Sequence, residues 1–106
     1  MIDNKIKSIL EERATIHSED YINIEKCCKK EIEVLVADMN STIDFILNRC
    51  TGEEFVWLSE VFDDVVEQSQ SCEFIATLYE TVKKFPEESK TYNLMEFIDS
   101  AKEFLI

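Results

Sequence analysis

The chain has 106 residues, 45% of them hydrophobic and 10% aromatic, with one glycine and one proline, enough to bury a core in one domain without metal or disulfide staples. Against 11 Lys and Arg stand 23 Asp and Glu, a net charge of −12 that repels phosphate backbones and anionic membrane surfaces. Direct nucleic-acid binding and membrane association are therefore excluded as expected functions. Residues 1–106 are read as a single helical domain.

Repeated apolar spacing at i, i+3 and i+4, with almost no glycine or proline to turn a sheet, predicts an all-α chain. The first helix is expected at about Asn4 to Ile16, with Ile2, Ile6, Ile9, Leu10 and Arg13 along one side. Ser18, ahead of Glu19 and Asp20, suits a second helix start. From there Tyr21, Ile24, Cys28, Ile32, Leu35, Met39, Ile43, Ile46 and Cys50 form one stripe. Unbroken, it would run about 45 Å, and Ser41 with Asp44 three residues on offers an internal cap for a break near Asn40.

Thr51 and Glu54 have capping-box spacing ahead of Phe55, Leu58, Phe62, Val65 and Val66, which predicts a helix from Gly52 to Gln68. Ser71 caps the next stripe, Ile75, Leu78, Tyr79, Val82 and Phe85, and Pro86 is expected to stop it. A polar connection continues to Tyr92, and Asn93 with Glu96 repeats the cap ahead of Leu94, Phe97, Ile98, Ala101, Phe104 and Leu105. The expected architecture is a small antiparallel helical bundle, or stacked helical hairpins, of about five helices.

Catalytic patterns are missing from the sequence. The sole histidine, His17, has no carboxylate or second histidine four residues away to share a metal. No serine sits in a nucleophile elbow, and no Gly-rich loop exists to cradle phosphate. The expectation is a protein that is no enzyme and uses no cofactor. Cys27, Cys28, Cys50 and Cys72 form no Cys-x-x-Cys pair, and no secretion signal or apolar span of membrane length precedes them. Free thiols in a reducing cytoplasm are the expected state.

Charge is distributed unevenly. Residues 1–50 carry seven basic and ten acidic side chains, whereas residues 51–106 carry four and thirteen. Between Arg49 and Lys83 there is no basic residue. Turning by about 100° per residue puts Phe55, Leu58, Phe62 and Val65 on one face and Glu53, Glu60, Asp64 and Glu67 on the opposite one. Trp57 falls among the acids, which admits two readings. It is either the anchor of a binding surface steering a basic partner, or a half-sandwiched residue covered, with Val61, by the first helix or the Tyr21 segment. The candidate partner-binding residues are Glu53, Trp57, Glu60, Asp64 and Glu67. Tyr79 and Tyr92 read as core-edge residues.

The stretch Cys50 to Asp64 (CTGEEFVWLSEVFDD), with Phe85 to Glu88 (FPEE) and Phe97 to Leu105 (FIDSAKEFL), resembles a family of short, acidic, helical bacterial proteins associated with toxin-immunity loci. The resemblance runs over roughly residues 31–105. It implies a cytoplasmic protein that binds and neutralises a cognate toxin, with no binding residue carried over; the acidic surface adds the expectation that the toxin domain is basic, as a nuclease domain would be. The nuclease-colicin immunity proteins use paired tyrosines that have no counterpart here, since Tyr79 and Tyr92 stand alone. The alternative is a non-enzymatic interaction or scaffold module, self-associating as a homodimer through the Ile2, Ile6, Ile9, Leu10 stripe.

Overall fold

Side-chain caps from Asp20, Asp38, Thr51 and Ser71 begin half of the α-helices of this chain, and the computed structural model, which describes residues 2–106, resolves them individually. Eight α-helical segments and one 3-10 turn are present, and no strand occurs among the described residues. The all-α class is as expected, but the helices outnumber the expected five. They are α1 (Ile2–Ala14), α2 (Tyr21–Ala37), α3 (Met39–Asn48), α4 (Gly52–Leu58), the 3-10 turn Ser59–Val61, α5 (Phe62–Ser69), α6 (Cys72–Val82), α7 (Pro86–Tyr92) and α8 (Leu94–Lys102).

The increase has three local causes. First, the long stripe breaks at Asp38, whose backbone is extended (φ −148°) and whose carboxylate accepts from the Ser41 amide at 3.2 Å and from its hydroxyl at 2.9 Å. The cap is therefore Asp38, three residues before the expected Ser41; an aspartate at N-cap satisfies amides a helix start leaves bare. Buried Thr42 spans the break, donating to the Leu35 carbonyl at 2.6 Å.

Second, the Thr51–Glu54 capping box forms as expected, with Thr51 N–H donating to Glu54 at 2.9 Å and Glu54 N–H to Thr51 at 3.1 Å. The helix it starts is then pinched by the 3-10 turn, within which Ser59 Oγ donates back to the Val56 carbonyl at 2.5 Å. Tighter 3-10 winding rotates the downstream residues relative to an ideal helix. Val61, placed by helical spacing beside Trp57, is fully buried.

Third, α6 ends at Val82, ahead of Pro86 as expected, but Pro86 also begins a helix, because its fixed φ and missing N–H suit the first helical position. Asn93 serves as the left-handed terminator of α7 (φ 54°), and its side chain makes no cap bond to α8. The expected polar linker is thus α7, and the expected Asn93 cap is absent.

One core unites these elements. Phe45, Phe55, Phe62 and Phe74 are buried with Ile6, Leu35, Leu58, Leu78, Leu94 and Ile98; a tilted ring pair joins Phe62 to Phe55 (5.4 Å) and an edge-to-face pair joins it to Phe74 (6.3 Å). Such pairs contribute about 1 kcal/mol beyond their buried area. Helix α5 packs between α2 and α8, and α1 lies on α2 with Ile6 and Leu10 inward. That placement brings Arg13, at the end of α1, over the 3-10 turn.

Candidate functional site

Trp57 sits at the junction of α1 and α4, half-buried. The Arg13 guanidinium lies 5.0 Å from its ring centroid, in cation–π range, and makes two hydrogen bonds to Glu60, Nε to Oε2 at 3.2 Å and Nη2 to Oε1 at 3.0 Å. Behind this pair, Cys28 Sγ donates to Glu60 at 3.7 Å, and Glu31, with no exposed surface, has no hydrogen-bond partner on either carboxylate oxygen. Burial, reinforced by the nearby Glu60 charge, pushes the Glu31 carboxyl up to about 7. Burial first, then the Glu31 and Glu60 charges, push the Cys28 thiol up to about 12, so it stays protonated and is a poor nucleophile at neutral pH.

The five expected site residues therefore divide. Trp57 and Glu60 come together and share Arg13, while Glu53 lies one turn back on α4, exposed. Asp64 and Glu67 project from α5, both exposed and without an ion-pair partner among the described residues. Asp63 beside them has its carboxyl raised by partial burial and by the Asp64 charge. Of the two readings of Trp57, cover by the first helix has its observation: the indole is half-buried, with the Arg13 guanidinium of α1 against it.

Two grooves flank Trp57 and Glu53. One, of about 530 Å³, runs between α1, the end of α3 and α4, and mixes charges: Asp3, Glu11, Glu53 and Glu54 with Lys7 and Arg49. Arg49 there bridges Asp3 and Asp44, each at 2.6 Å, and holds both carboxyls below their usual range. The other, of about 620 Å³, is bounded by α4, α7 and α8. Val56, Trp57, Tyr92 and Phe97 line it, and its charged side chains, Glu53, Glu60 and Glu88, are all carboxylates.

Arg13, Glu31, Glu88, Tyr92 and Phe97 are not among the expected site residues. Arg13 carries a signal in the sequence, since it falls on the apolar side of α1, as does Glu31, one helical turn from Cys27 and Cys28. Neither spacing reveals that both meet Glu60. Among the described residues, no group of three or more His, Cys, Asp or Glu is arranged to hold a metal, and no helix is long and apolar enough to cross a membrane. His17 is exposed, its Nδ1 accepting from the Glu19 amide at 3.1 Å. No protein-family model matches the chain, and no curated protein or solved structure matches it either.

Proposed function

We propose that this protein is a non-catalytic inhibitor of the immunity type, which neutralises a cognate basic toxin domain by docking the acidic α4–α5 surface against it. The observation that carries the reading is the uncompensated charge: Glu53, on α4 with a half-buried tryptophan, and Asp64 and Glu67 on α5 are exposed, with no ion-pair partner among the described residues. Such a surface costs self-repulsion, yet it speeds encounter with a basic partner and anchors it through a large ring. Obstruction of a basic substrate site needs no catalytic residue in the inhibitor. The resemblance to toxin-immunity proteins points the same way.

The test is tagged protein retained on a column at low and at high salt in its native cell extract, followed by association kinetics with the domain recovered. The reading expects a basic domain whose association slows with salt and slows again, by about tenfold, in the Asp64→Lys, Glu67→Lys protein. Recovery of self alone, or of a salt-indifferent partner, defeats it. That outcome favours a self-associating helical scaffold. The exposed Tyr21 (73%) and Ile22 (70%) at the start of α2 are the observation in its favour, because Ile6 and Leu10 of the α1 stripe are already in the core.

A further inference from the structure

Of the two grooves beside Trp57, only the one between α4, α7 and α8 combines an apolar wall with charge of a single sign. Its apolar lining is Val56, Trp57, Tyr92 and Phe97, and its charged lining is Glu53, Glu60 and Glu88. Tyr92 (53%) and Phe97 (43%) remain markedly exposed for aromatic residues. Large exposed rings beside unpaired carboxylates suit a ligand that is apolar along its stem and cationic at its tip.

The chain supplies its own precedent for such a ligand. Arg13 satisfies the Trp57–Glu60 pair from the α1 side, with its guanidinium at the ring and two hydrogen bonds to the carboxylate, yet it does not line the α4–α7–α8 groove. Glu53 and Glu88 are left on the groove side without an ion-pair partner among the described residues. A groove of about 620 Å³ is in the range that holds a few side chains of a bound segment.

We propose that this groove is the docking site for a short basic segment of a partner protein, in which an arginine engages Glu53 and Glu88 while a neighbouring aliphatic side chain covers Phe97 and Tyr92. The proposal deepens the inhibitor reading and rests on it for the identity of the partner. Arginine is favoured over lysine because a planar guanidinium stacks on aromatic faces and presents paired donors to carboxylates.

The test titrates a blocked hexapeptide alternating arginine and leucine into the full chain at about 150 mM salt, where diffuse attraction is screened beyond about 8 Å. Trp57, the only tryptophan, reports binding by its emission, and amide shifts locate it. The expected result is saturable binding, with shifts at Val56, Tyr92 and Phe97, weakened about fivefold or more by Glu88→Gln and by Phe97→Ser. Hexa-arginine should bind about fivefold more weakly. No shift at those amides, equal binding of hexa-arginine, or indifference to both substitutions overturns the groove. Asp64 and Glu67 lie outside it. Loss of the toxin domain in the Asp64→Lys, Glu67→Lys protein but not in Glu88→Gln or Phe97→Ser refutes the groove and leaves the inhibitor reading standing. Peptide binding in the groove without any basic protein partner refutes the inhibitor reading instead.

Discussion

Arg13 and Glu60 lie 47 residues apart in sequence and meet in a two-pronged ion pair at the seam of α1 and the 3-10 turn. Their side chains are 13% and 30% exposed, so the pair is only partly shielded from solvent, mainly on the arginine side. Removing one partner should be costly because Glu60 would remain beside Glu31 without a cation. Arg13→Ala should lower stability by about 2 kcal/mol in urea denaturation. Trp57 emission should shift to the red as its cover is lost. An unchanged midpoint and spectrum would show that α1 is held without the Arg13 pair, by Ile6, Leu10 and the Asp3–Arg49 and Glu12–Lys30 ion pairs.

Glu31 should give this acidic protein an unusual pH profile. Its folded pKa, about 7, lies above the ordinary 4.5, so the native state holds a proton that the unfolded state has already released. Stability should therefore decline as pH rises from about 4.5 to 7 and level off above. Asp3, Asp38 and Asp44 act in the opposite direction, since their lowered carboxyls lose stabilising bonds as pH falls through the acid range. Glu31→Met should flatten the decline and raise stability by about 2 kcal/mol at pH 8. A profile that still falls between pH 5 and 7 in this variant would assign the decline to general charge repulsion.

Legibility in the sequence tracks the range of each interaction. Thr51–Glu54 and Ser71 are readable because a cap involves residues three apart and nothing else. Asp38 and Ser41 both fit a cap, and only the extended backbone at Asp38 selects between them. Pro86 is compatible with a stop or a first helical position, and the packing of α7 on α4 and α8 favours the second. At the site, helical turning makes the acids around Trp57 visible, but Arg13, Glu31 and Glu88 reach it through long-range packing. The 3-10 turn, moreover, departs from the regular wheel, and Val61 ends in the core, as the covered reading of Trp57 has it.

Gln70 closes the chain end. In left-handed geometry (φ 51°) after α5, its side-chain amide donates to the Phe104 carbonyl and its oxygen accepts from the Ile106 amide, each at 2.9 Å. Gln70→Gly removes both bonds, along with those its side-chain amide donates to the Val66 and Glu67 carbonyls at 3.3 and 3.0 Å, but relieves a backbone conformation that favours glycine. The two effects should nearly cancel, leaving global stability within about 1 kcal/mol. Hydrogen exchange at Ile106 should accelerate nonetheless. Protection that persists there would mean that Leu105 packing, not Gln70, secures the terminus.

At Gly52 the start of α4 lies close against α7 and the Phe85 ring. A Cβ on Gly52 would collide with the Glu88 carboxylate and crowd the Phe85 ring edge at 3.2 Å. Alanine is otherwise the better helix former by about 1 kcal/mol, so the sign of Gly52→Ala depends on whether Glu88 can move aside. The carboxylate end of a glutamate is flexible, but the Phe85 ring is held against Phe55 at 5.9 Å. Gly52→Ala should therefore destabilise by about 1 kcal/mol. Adding Glu88→Ala should recover only part of that loss, because the Phe85 contact persists. Full recovery in the double variant would identify Glu88 as the whole obstacle, and no loss in the single variant would show that α7 can shift away from α4 at little cost.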